Sequence, residues 1–381
     1  MQQTYSFSIS QPSRALHDFQ TFGFNEDEQG RRVLDGMLKW TGAGTGDQIN
    51  YRFAQTARTQ RNRQNHLYPE GVFPFAHQIL TDHLSGKVDG RSTQCQESQT
   101  CAKIFEANSS NEYWVKTGSL LHSDTHGRDL EDPNDVRYYL ISGTSHGVGN
   151  PSSRGLCQHF LNPTSPYPAL RALLVALDQW VTDGTAPPIS RVPRQANGTA
   201  VMAEPQPGYL TGTVPQEDLG WPEIPGVTYT GLITMRYHLD FGPAFDEEAI
   251  ISNYPPSLDG RETYPTYVSS VDNDGNEVAG IRLPPVAAPL ATTTGWALRR
   301  EGFGLHAGCE GSGKNISFAT TRAERLASND PRLSLEERYG THDEYVQAVA
   351  EAARELMQER LLLQNDVQRY IDEASASDIL Q

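Results

Sequence analysis

Basic side chains are scarce in this chain: 31 lysines and arginines stand against 47 aspartates and glutamates, a formal net charge of −16. With no basic stripe above that background, nucleic acid and anionic membrane surfaces are excluded as expected partners. Long apolar runs are missing as well, none approaching the roughly 18 residues of a membrane span, and the mean hydropathy is −0.56. Cysteine is limited to Cys95, Cys101, Cys157 and Cys309. No second Cys/His pair follows the first at zinc-ligand spacing, which argues against a zinc site. Cys95 and Cys101 bracket a short loop; bonded, they favour an exported or periplasmic protein over a cytoplasmic one, and unbonded they leave the compartment open.

Turn formers are abundant instead. The 33 glycines and 24 prolines, set between recurring apolar runs, imply long, turn-rich connections in a globular protein. The length suits two domains, or one with a substantial extension. The composition shifts at Pro187, so residues 1–190 read as a core and 191–381 as a Pro/Gly-rich extension with hairpins and C-terminal helices, expected to roof the site.

The period-two run Tyr5, Phe7, Ile9 predicts a strand, and Ser13 to Gly23 has the spacing of a short helix. Ser10 therefore sits at a strand-turn-helix junction. Val33 to Leu38 reads as a strand before the glycine-rich Thr41 to Gly46, Arg52 to Tyr68 as a polar loop carrying Arg58, Arg61 and Arg63, and Val72 to Leu84 as mixed loop and helix. Lys103 to Ala107 is a strand emptying into the polar turn Asn108 to Glu112. Val136 to Ser142 is a strongly apolar strand leading into Gly143-Thr-Ser-His146-Gly147. Ala169 to Thr182 predicts a helix with Leu170, Leu173, Leu174, Leu177 and Val181 on one face and Gly184 as its stop. Asp274-Gly275 marks a hairpin turn, and Leu335 to Ala374 a closing helical region with Tyr345, Val349, Leu356 and Leu363 as its apolar stripe.

Ser10, Glu112 and His146 thus follow three predicted strands in the order nucleophile, acid, base. A serine hydroxyl becomes a competent nucleophile when an imidazole takes its proton, and a carboxylate must fix the tautomer of that imidazole. Asp124 and Asp129, in a later loop, are alternative acids.

These motifs resemble a large, mostly bacterial group of α/β-hydrolase-domain proteins with generally unassigned substrates. The elbow of that group, Gly-x-Ser-Gln-Ser-Gly-Arg, is matched by Ser8-Ile9-Ser10-Gln11-Pro12-Ser13-Arg14. Further matches include Gly23-Phe24-Asn25, Phe73-Pro74-Phe75, Glu112-Tyr113-Trp114, Ser142 to Gly147, Asp274-Gly275-Asn276-Glu277 and Leu333 to Tyr339. The resemblance implies an α/β fold, a mostly parallel sheet with flanking helices, and a serine hydrolase with Ser10 as nucleophile and His146 as base. It implies the Gln11 backbone amide as oxyanion donor. Ser8 and Ser13 stand where two glycines are expected, and Pro12 restrains Gln11, so a distorted elbow is expected. Because the chain opens on the elbow strand, the early strands and the loop supplying a second oxyanion donor are expected to be missing.

Other patterns carry less. Gly308 to Lys314 fits a phosphate-loop spacing, but Asn315 replaces the magnesium-binding hydroxyl and Ile316 to Thr321 favours strand. His122 and His126 have i, i+4 spacing in a sequence suited to a loop, and the Asp272 to Glu277 run lacks the twelfth-position Glu of a calcium loop. His17, His66, His77 and His159 read as surface or packing residues. No cofactor and no metal is implied. The leading expectation is a serine esterase acting on a small-molecule ester through an acyl-enzyme. The alternative is a non-catalytic fragment or interaction module of the same fold, its bare elbow-strand edge open to self-association.

Overall fold

The computed structural model describes residues 3–47, 71–206, 211–248, 250–253, 256, 262–309 and 311–381. The polar stretch Arg52 to Tyr68, with its three arginines, lies outside them. Four parallel strands form the central sheet: β1 (Tyr5–Ile9), β2 (Gly36–Trp40), β3 (Lys103–Ser109) and β4 (Val136–Ile141), side by side in chain order. Every residue of β2 is buried, as befits a parallel strand covered on both faces.

Alternation along the strands divides the core in two. Leu38, Trp40, Phe105, Ala107, Tyr139 and Ile141 point to one face. Helix α3 (Tyr167–Asp183) covers it with Leu170, Leu173, Leu177 and Trp180, and ends at Gly184 with φ 69°. Leu174, expected on that face, is instead exposed, because the buried stripe follows Leu173 to Leu177 and Trp180 and leaves position 174 on the outer side. The opposite face carries Met37, Ile104, Tyr138 and Leu140, packed by Trp114, Trp221 and Trp296.

Helix α1 (Gln11–Thr21) follows β1 directly, two residues ahead of the expected start. The second strand begins at Gly36 rather than Val33, since Asn25 caps the backbone of Leu34 through both side-chain atoms and holds that segment as a turn. The predicted turn after Ala107 is strand to Ser109 and then helix α2 (Ser110–Lys116). Val72 to Leu84 holds a short strand, Leu80–Thr81, and no helix. The C-terminal region is three helices, Leu335–Tyr339, α4 (His342–Gln358) and α5 (Gln364–Ser375). Gly340, with φ 73°, separates the first two.

The second half of the chain returns to the sheet. Arg191 and Ile281 each bridge β4 in parallel, at Tyr139 and Ile141. The Asp272 to Glu277 hairpin turns at Gly275, φ 78°, with Asp272 accepting from the Asp274 and Asn276 amides. Disulfides join Cys95 to Cys101 and Cys157 to Cys309; the second pairing carries no local signal in the sequence. Among the described residues, no helix is long and apolar enough to cross a membrane.

Candidate active site

Ser10 stands between the last residue of β1 and the first of α1, with φ 64° and ψ −122°, a conformation costly for a residue bearing a Cβ. Surrounding bonds impose it. The Ser10 amide donates to Trp40 O at 2.9 Å and to Thr41 Oγ1 at 3.2 Å, while Ser10 O accepts from the Ser13 and Arg14 amides that open α1. The two serines expected to distort the turn bond to each other, Ser8 Oγ to Ser13 Oγ at 2.9 Å, and Ser13 Oγ donates to Trp40 O at 2.9 Å. The elbow is therefore held by side-chain hydrogen bonds.

Ser10 Oγ lies 3.0 Å from His146 Nε2, and His146 Nδ1 lies 2.6 Å from Glu112 Oε1. A carboxylate can only accept, so the neutral imidazole carries its proton on Nδ1 and leaves Nε2 free to receive one. Ser10 Oγ can also donate to Gln11 Oε1, 2.8 Å away. The imidazole is partly open to solvent, whereas Glu112 is fully buried. Burial disfavours the Glu112 charge, but His146, Lys116 and the Ser109 hydroxyl outweigh it and hold the carboxyl below its ordinary value of 4.5. Lys116 Nζ is 3.6 Å from Glu112 Oε1.

Backbone geometry gathers these residues: each follows a strand of one parallel sheet, so all three emerge at the same edge. Gln11 is the first residue of α1, where a helix leaves its amides without intrahelical partners, and no acceptor among the described residues engages its N–H. Asp124 and Asp129 are not brought to His146. Asp124 closes a tight turn with Arg128 at 2.7 Å, and Asp129 accepts from the Ala196 amide at 3.0 Å. His122 is buried, with its Nε2 at 3.0 Å from the Tyr113 hydroxyl, and His126 stacks on His83. Lys314 Nζ sits 3.3 Å from the centre of the Trp296 ring, and the following Asn315–Ser317 is a strand paired with Ala291–Thr293. His17 and His77 both bond the buried Glu106.

Two contributors escaped the sequence reading. Ser109 donates to Glu112 Oε2, a side-chain pair made without the capping bonds to backbone amides that the Ser-x-x-Glu spacing signals. Glu277 reaches the same region from the second half, with no local signal to announce it. A cavity of about 830 Å³ opens between α3, α4, α5 and the strand Ala291–Thr293; its walls include Thr164, Thr293, Phe318 and Tyr345 but not Ser10, Glu112 or His146.

A parallel sheet flanked by helices, with Ser, Glu and His at one edge, has the form of a hydrolase. The chain belongs to the family described as Alpha/beta hydrolase domain, whose model matches residues 1–372. No curated protein and no solved structure matches it.

Proposed function

We propose that this chain is a serine-type hydrolase that cleaves carboxylic esters of small molecules through an acyl-enzyme. The observation that carries the reading is the continuous hydrogen-bonded run from Ser10 Oγ through His146 to Glu112. Ser10 Oγ attacks the ester carbonyl carbon as its proton passes to His146 Nε2. The Gln11 amide receives the oxyanion, and Glu112 steadies the imidazolium. The carbon–oxygen bond to the leaving alcohol breaks as Nε2 returns the proton to that alcohol. A water, deprotonated by Nε2, then attacks the acyl carbon, and Ser10 leaves with the proton.

Labelling with a fluorophosphonate tests the assignment. The probe should add to Ser10 and to nothing in Ser10→Ala, and His146→Ala should lower aryl-ester kcat by about four orders of magnitude or more. Absent labelling of the wild-type chain, or labelling unchanged in Ser10→Ala, overturns it.

A second reading, an interaction module of the same fold, is favoured by the sheet edge. On β1, Phe7 and Ile9 are 49% and 42% exposed, and no strand among the described residues pairs with its outer side. Such an edge can take up a second copy of the chain. Sedimentation showing concentration-dependent dimers, with neither esterase activity nor labelling, supports this reading; a labelled monomer at all concentrations removes it.

A further inference from the structure

Glu277 lies at the end of the Asp272 to Glu277 hairpin and is buried. Its Oε2 accepts two hydrogen bonds, one from Ser110 Oγ and one from the Gly143 amide at 2.9 Å. Ser110 opens the helix that carries Glu112, two residues on; Gly143 opens the loop that carries His146, three residues on. One oxygen of the distant hairpin thus joins the segment bearing the acid to the segment bearing the base.

The surroundings reinforce the join. Gly143 has φ +63°, and a Cβ there would come within 2.7 Å of Thr293 Oγ1 and 2.8 Å of Val286 Cγ2, so the histidine loop is wedged against the second half. Behind Ser110, Asn111 Nδ2 donates to Gly295 O at 2.6 Å. The other Glu277 oxygen, Oε1, is buried without a hydrogen-bond partner among the described residues. Burial pushes the carboxyl up to about 7, against the opposing pull of its two donors and Arg282. A buried carboxylate with one orphan oxygen costs stability, so packing alone does not account for a glutamate here. What the residue supplies is an oxygen that accepts from both the Glu112 helix and the His146 loop, whose separation sets the His146–Glu112 contact.

We infer that Glu277 is a positioning residue, which holds the Glu112 helix and the His146 loop at the spacing their hydrogen bond requires. The inference rests on the reading of Ser10 as nucleophile. It is tested by the rate of fluorophosphonate labelling of Ser10, with kcat and KM for an aryl butyrate and thermal unfolding measured on the same samples. Glu277→Ala should slow labelling and kcat by about tenfold to a hundredfold, the scale of a small misplacement of catalytic groups. KM should stay within about twofold. Glu277→Gln keeps an acceptor oxygen in place and should stay within about threefold of wild type in both rates. Ser110→Ala deletes one of the two donors while leaving the hairpin intact, and should slow labelling by a smaller factor than Glu277→Ala, about threefold to tenfold. It decides the matter if Glu277→Ala does not fold. Wild-type rates in folded Glu277→Ala or in Ser110→Ala overturn the inference while leaving Ser10 labelling intact, and so does Glu277→Gln as impaired as Glu277→Ala. An unlabelled wild-type chain overturns the Ser10 reading itself, and the inference with it.

Discussion

Ser8 and Ser13 stand where the resembling group carries glycines, and the elbow turns none the less. Their hydroxyls bond to each other, and Ser13 Oγ donates its hydrogen bond to Trp40 O. Ser13→Ala should therefore leave the Ser8 hydroxyl buried without its acceptor, a loss of about 1–3 kcal/mol in urea unfolding. The double replacement with Ser8→Ala should cost less than the sum of the two single changes. Glu277 makes a pH-dependent prediction of its own. Its folded pKa of about 7 lies above the ordinary 4.5, so the native state keeps its proton to higher pH than the unfolded chain. Stability then falls as pH rises through that window and is level above it. At one pKa unit per 1.36 kcal/mol, Glu277→Gln should gain on the order of 3 kcal/mol relative to wild type above about pH 7, and little at about pH 4. Thermal unfolding at both pH values checks the difference.

At the scale of elements, the elbow helix is tied to the sheet by a buried hydrogen-bond network as well as by apolar packing. Glu106 of β3 receives Lys39 Nζ from β2 at 2.9 Å, His17 from α1 at 3.0 Å and His77 at 2.9 Å, all of them buried. His17 also bonds Thr45 O at 2.6 Å, fixing the glycine-rich loop after β2. Removing the anion with Glu106→Gln leaves Lys39 buried beside an uncharged partner, an expected loss of about 3–5 kcal/mol. Burial lowers His77 to about 4 from an ordinary 6.5. The unfolded chain therefore binds more protons below pH 6.5, and stability drains away as pH falls toward that value. Burial opposes the Glu106 charge, but His17 and Lys39 hold its carboxyl well below 4.5, which adds to the loss at the acid end. In Glu277→Gln, which lacks the opposing titration of Glu277, a melting temperature that stays flat between about pH 7 and pH 4 would refute this account. The strands and α3 were legible in the sequence because period-two and period-3.6 burial are local patterns. This network was not: Lys39 and Glu106 sit on the core-facing register of their strands, and sequence alone reads His17 and His77 as surface or packing residues.

Across the whole molecule, the Cys157–Cys309 bond closes a separation of 152 residues, and the Cys95–Cys101 bond one of 6. On the chain-entropy account, losing the first should cost about 5 kcal/mol and losing the second about 2. Cys157→Ser should accordingly lower the melting temperature more than Cys95→Ser. It should also slow Ser10 labelling, because the chain after Cys309 runs beside His146, where a Cβ on Gly311 would lie 3.7 Å from His146 Cβ. Equal melting temperatures for the two variants would refute the ordering. The sequence by itself determined the four strands to within a few residues, the strand-turn-helix elbow, and the place of Ser10, Glu112 and His146 shortly after three of those strands, since strand periodicity and turn chemistry are properties of neighbouring residues. Tertiary structure alone decided that Asp124 and Asp129 turn away into local bonds, that Ser8 and Ser13 secure the elbow, and that Glu277 joins the acid helix to the histidine loop. Those contacts link residues far apart in the chain, and which distant groups meet is settled by how the burial of two apolar faces folds the second half back onto the sheet.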